Sequence, residues 1–264
     1  MTALLAYACL LLATAGGTED LRARSLAVEV LALAARGDTP SLARAAALVP
    51  DPLRADPVFR AAAANRALAG LLAAASLRER SATSSGGDEG LRAARTRREE
   101  ALEELRPLVR THPEDLAVVR ALAVYLGLGG RAEELVAVAR RARADGGEDP
   151  WIDFAEVSAA TRGTASGEAA GLLSGFVSSH AGILPARMSL ARAQLAMGDR
   201  DRVLSTLDAL LAVAPDHEDA QALKAELLAP PPVKMEVPPV PQGAPPQTPP
   251  GYLPRKGRRP AAAG

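Results

Sequence analysis

The same three-residue apolar stripe recurs four times at a fixed interval of 34 residues. Ala101, Leu105 and Leu108 are followed by Leu135, Ala139 and Ala142, then by Ala169, Leu173 and Phe176, then by Val203, Leu207 and Leu210. The first and last sets lie 102 residues apart, which is three periods. A spacing of i, i+4, i+7 puts each triplet on one face of a helix. A helix that repeats every 34 residues and always buries the same stripe needs a repeated partner, so internal repetition constrains this chain more than any local motif.

Partner helices are legible between the stripes. Residues 116–128 carry Leu116, Val119, Leu122, Ala123 and Leu126 before the stop at Gly129-Gly130. Residues 184–197 carry Leu184, Leu190 and Ala191 before Gly198-Asp199. Asp149-Pro150 opens a third, since aspartate accepts from the first turn and proline suits its unbonded N–H position. The composition agrees: 48% of the chain is apolar but only 3% is aromatic. The apolar residues are chiefly Ala and Leu, which lose little side-chain freedom in a helix. The expected fold class is all-α, an α-solenoid of stacked antiparallel helix pairs.

The pattern resembles the tetratricopeptide repeat family, whose 34-residue signature runs W-x2-L-G-x2-Y, then A-x3-F, then a proline. Trp151, Phe154 and Ala155 match the opening, as do the Leu122-Ala123 and Leu190-Ala191 pairs. Ala101, Ala169, Leu105, Leu173 and Leu207 match the second helix, and Pro113 and Pro215 the closing proline. The chain departs from the signature at Arg187 (tryptophan), at Gln194 (tyrosine), and at Gly147 and Ala181 (proline). The resemblance covers about residues 96–229 and implies a superhelix whose first helices line a concave, peptide-binding groove. On that reading the groove residues are Arg120, Val124, Ile152, Glu156, Met188, Arg192 and Leu195. The two arginines point to an acidic segment or a chain terminus as partner. The lysine and asparagine clamp of chaperone-binding family members is not apparent.

Outside the regular frame the chain divides into further segments. Residues 1–55 read as a degenerate helical repeat, with an amphipathic helix over 19–36 and a short one over 40–48. Residues 56–115 form a pair, a long helix from Asp56-Pro57 to about Glu79 and a second over 91–111, separated by a flexible insertion at 80–90 rich in Ser and Gly. Residues 116–229 hold the regular repeats and end in a half-exposed capping helix over 216–229, where His217 reads as polar surface. Residues 230–264 contain twelve of the 21 prolines and a basic cluster at 255–259. That composition predicts a disordered tail with polyproline II character, a solvated spacer or a ligand for a proline-binding groove.

Residues 1–15 support two readings. They read as the core helix of the first repeat, paired with 19–36 and ended by Gly16-Gly17. Alternatively they are a signal sequence or anchor, although the charged n-region is missing and the apolar run is too short to span a bilayer. The first reading gives a cytoplasmic scaffold or adaptor, the second an exported, periplasmic envelope assembly factor. A third reading makes the chain the C-terminal part of a larger repeat protein. Cys9 is the single cysteine, so no intramolecular disulfide forms.

Catalytic and metal-binding patterns are missing from the sequence. No GxxxxGK[ST], GxGxxG, HExxH or GxSxG occurs, so nucleotide binding and common hydrolase chemistry lack their frameworks. His112, His180 and His217 have no ligand-spaced Cys, Asp or Glu around them. His112 and His180 share one repeat position, the C-terminal end of a helix, where imidazole suits the dipole. Trp151 falls where the family packs a tryptophan, so it reads as core. The chain carries 31 basic and 31 acidic residues, and this balance with scarce aromatics counts against nucleic acid. The expectation is a non-enzymatic protein- or peptide-binding scaffold with no cofactor, no metal and no membrane-inserted segment.

Overall fold

A computed structural model describes residues 18–54, 56–83, 87–144 and 148–229. The tail at 230–264, the helix or signal at 1–15 and Cys9 lie outside the described residues. Among the described residues all regular structure is helical. Helix α1 spans Thr18–Arg36, α2 Thr39–Leu48 and α3 Asp51–Arg54. A 3-10 turn over Pro57–Phe59 leads into α4, Arg60–Thr83, which pairs with α5, Gly87–Thr111. Three further elements of the frame follow: α6 (Leu116–Gly129) with α7 (Ala132–Ala144), α8 (Pro150–Ala160) with α9 (Ser166–Ser179), and α10 (Leu184–Ala196) with α11 (Arg200–Val213). Helix α12, Glu218–Leu228, packs on α11 and ends the stack.

All twelve stripe residues are buried. Each second helix therefore turns the face expected from its 34-residue frame into the core. On the first helices, Ala123, Ala155 and Ala191 are 0% exposed. A methyl is the largest group these crossings accommodate. Gly127 has the same role in closer form, because a Cβ there would strike the carbonyl of Ala155 on the next pair. Local chemistry fixes the starts. Asp115 accepts from the Ala117 N–H at 2.9 Å and Asp149 from the Trp151 N–H at 2.9 Å, which satisfies N–H groups a helix cannot bond internally. Gly130, at φ +74°, ends α6 in the left-handed conformation that glycine adopts without strain.

Two features differ from the sequence expectation. The insertion at 80–90 is mostly helix: α4 continues to Thr83 and α5 starts at Gly87. The glycines that suggest a flexible loop allow tight packing instead, since a Cβ at Gly90 would collide with the Ser81 hydroxyl. His217 is not surface but 0% exposed. Its Nδ1 accepts from the Ala220 N–H at 3.2 Å, so its Nε2–H donates to the Arg36 carbonyl at 3.1 Å.

That bond is one of several that join the N-terminal helices to the start of α12 and the residues just before it. The Thr39 N–H and hydroxyl both donate to Asp219, and Arg80 pairs with the same carboxylate at 2.9 Å. Arg36 pairs with Asp216 at 3.0 Å, which together with Asp38 raises the Arg36 pKa against the opposing effect of burial. Helix α1 thus runs from α4 to α10, and one apolar core joins it to α2, α4 and the pairs that follow. The stretch Pro57–Ser81 is long and apolar enough to cross a bilayer, but most of it is buried against these neighbours.

Candidate functional site

The seven residues expected along an open groove do not form one. Arg120, Val124, Ile152 and Met188 are all buried, at 5%, 0%, 1% and 5% exposure. Glu156 is half-buried and held by Arg143 of α7, with N···O distances of 3.0 and 2.6 Å. Arg192 reaches back to Glu79 of α4. Only Leu195 is exposed. The physical reason is that the first helices pack directly on one another, α4 on α6 and α6 on α8. The inner faces of α4, α8 and α10 meet around Leu72, Phe154 and Met188, leaving a crevice of about 40 Å³. That is about the volume of one water molecule in the liquid.

The open volume lies elsewhere. A cavity of about 940 Å³ opens at the N-terminal ends of α6 and α8, near the upper end of the size range of small-ligand pockets. Leu31 and Ala35 of α1 form one wall, Val119 and Leu122 of α6 another, and Val138 of α7 and Trp151 of α8 line it as well. The loops before α6, α8 and α10 add Glu114, Glu148 and His180 at its rim. Trp151 meets Phe154 edge-on, with ring centroids 6.0 Å apart, so it is packed as the sequence suggests.

Polar groups of the cavity are fixed from behind. The Arg120 guanidinium holds the Asp149 carboxylate through Nη2 at 2.6 Å and Nε at 3.0 Å, and it faces the Asn65 amide oxygen at 3.4 Å. Asn65 in turn donates to the Ala27 carbonyl at 2.8 Å, tying α1 to α4. His180 stacks on Phe176 at 4.6 Å and its Nε2 stands 3.5 Å from Asp153. Its Nδ1 has no hydrogen-bond partner among the described residues. Behind it, the hydrogen bonds that Arg143 donates to Glu156 and then to Asp153 push its guanidinium above the ordinary arginine range.

Sequence reasoning misses this cavity because its walls come from α1, three pairs and their loops. One signal was present. Arg120 stands inside an Ala/Leu/Val helix, and a buried guanidinium there requires an acidic partner. The capping residue of the next first helix, Asp149, supplies it. Among the described residues no group of three His, Cys, Asp or Glu side chains could hold a metal ion.

Residues 167–227, covering α9 to α12, match the family model of the tetratricopeptide repeat. No curated protein and no solved structure matches the chain. The match covers the C-terminal helices, and the same 34-residue frame, with its stripe buried, continues upstream through α7 and α5. Over residues 167–227 the chain is therefore similar to the tetratricopeptide repeat, a class of protein-interaction repeats.

Proposed function

We propose that this protein is a non-catalytic scaffold that receives an apolar segment of a partner protein in the cavity between α1, α6, α7 and α8. The stacked hairpins carry the reading, because repeats of this class present surfaces rather than reactive centres. The cavity favours a position at the helix ends, since the inner face of the stack is filled by the chain itself. Its walls are apolar, which suits aliphatic or aromatic anchors. The rim carboxylates Glu114 and Glu148 are positioned to meet polar groups of the incoming backbone.

Quantitative affinity purification from the native host tests this. Val119→Glu places a charge on the cavity wall at a half-buried position, and Arg97→Glu introduces a glutamate at an exposed position of α5. With folding of both verified by circular dichroism, partners retained by the wild type and by Arg97→Glu are expected to be lost from Val119→Glu. Identical partner profiles for all three proteins would reject the cavity as the binding position.

A further inference from the structure

At the C-terminal ends of α6 and α8, one helix length from the cavity, arginines from four segments converge. Arg98 of α5 and Arg131 both lie over the Tyr125 ring, with guanidinium carbons 5.1 and 5.9 Å from its centroid. Arg162, just after α8, packs against Gly130 and donates to the Leu128 carbonyl. Arg78 of α4 is near enough to act on Arg162. Burial, then the charges of Arg78 and Arg98, lower the Arg162 pKa, with Glu79 opposing. The local carboxylates are already engaged: Glu134 by Arg131 and Glu79 by Arg192. Among the described residues, Arg78, Arg98 and Arg162 have no carboxylate within ion-pair distance.

The exposed carbonyls at the end of α6 attract one cation, and Arg162 supplies it. They do not account for the further guanidiniums of Arg78 and Arg98 within electrostatic reach of Arg162, which repel it and leave an excess of positive charge at this end. We propose that this cluster is a second docking surface, for a carboxylate-rich segment of a partner protein. The planar fork of arginine matches a carboxylate with two parallel hydrogen bonds. Nucleic acid suits the surface less well. The Tyr125 face is covered by guanidiniums and is closed to base stacking, and Glu79 and Glu134 interrupt any track for a phosphate backbone. None of these residues lines the cavity, so the surface stands or falls independently of it.

The test uses the full chain and fluorescein-labelled hexaglutamate, followed by anisotropy at low and at physiological salt. The wild type is expected to bind, more weakly as salt rises. The triple variant Arg78→Gln, Arg98→Gln, Arg162→Gln is expected to lose about tenfold or more in affinity. The control Arg22→Gln, Arg110→Gln, Arg140→Gln removes the same charge from exposed positions elsewhere and should change affinity by about twofold or less. Arg78→Glu alters a single exposed side chain that packing does not need, and it should weaken binding several-fold even if the triple variant folds poorly. Absence of wild-type binding overturns the proposal, as does equal loss in both triple variants. So does tighter binding of a hexathymidylate than of hexaglutamate, which would assign the cluster to phosphate.

Discussion

Asp149→Asn separates the buried ion pair from the helix cap that share one carboxylate. Arg120 and Asp149 are 6% and 4% exposed at the side chain, with a shortest N···O distance of 2.6 Å. Asparagine still caps a helix well, so the Trp151 N–H keeps an acceptor. What disappears is the countercharge, leaving a guanidinium out of water with neutral amide oxygens, that of Asn65 at 3.4 Å among them, as its acceptors. Breaking a buried pair by removing one partner costs about 3–5 kcal/mol. Against a domain stability on the order of 5–15 kcal/mol, that loss shifts the urea midpoint substantially. Trp151, the single tryptophan, lies two residues from the substitution and reports unfolding by fluorescence, with circular dichroism for the whole chain. Asp149→Ala should cost roughly 1 kcal/mol more, because the cap goes too. Adding Arg120→Met to Asp149→Asn should recover most of the loss, since an apolar side chain needs no partner. A single variant within about 1 kcal/mol of wild type, or a double variant no better than the single, would refute the reasoning.

Two glycines should respond in opposite directions to the same substitution. Gly37→Ala places a Cβ at φ +71° and into the ring of Pro185, and thermal melts should show a loss of about 2 kcal/mol or more. Gly171 lies inside α9 with nothing within 4 Å of a new Cβ, so Gly171→Ala should gain roughly 0.5–1 kcal/mol. Matching signs would contradict the assigned geometry. Asp219→Ala removes the acceptor that Thr39 and Arg80 share, at a cost of about 1.5–3 kcal/mol. Hydrogen exchange should then accelerate both at the start of α2 and in α12. Acceleration in α12 alone would show that the two ends are not coupled.

The second helices were legible because their burial is set by neighbours one repeat away. Leu105, Ala139, Leu173 and Leu207 each need only the same partner at the same offset, and periodicity reports that directly. The first helices were legible as helices but not for what covers them. Val124 and Ile152 are buried with α1 in one core, and α1 carries no mark of where it docks. Its Ala27, Ala34 and Ala35 fit any helix face. His217 was misread for the same reason, because its partner, the Arg36 carbonyl, is 181 residues away. Local chemistry was readable in the cap at Asp149 but misleading around 80–90, where Gly87 and Gly90 pack closely against Ser81.

The filled inner face and the two candidate surfaces have a common origin. Because the first helices pack on one another and on α1 at α4 and α10, the inner face is filled, and the two candidate surfaces lie at helix ends. The cavity sits at the N-terminal ends of α6 and α8 and the arginine cluster at their C-terminal ends. Helix α6 has 14 residues, so the two surfaces are about 20 Å apart at a rise of 1.5 Å per residue. An extended chain spans about 3.3–3.6 Å per residue. One partner segment engaging both therefore needs roughly six residues or more between its apolar anchor and its acidic stretch. With that spacing, the second contact becomes intramolecular and two weak contacts reinforce each other. With a shorter spacing the two sites compete for the same segment, and removing either surface would strengthen binding at the other.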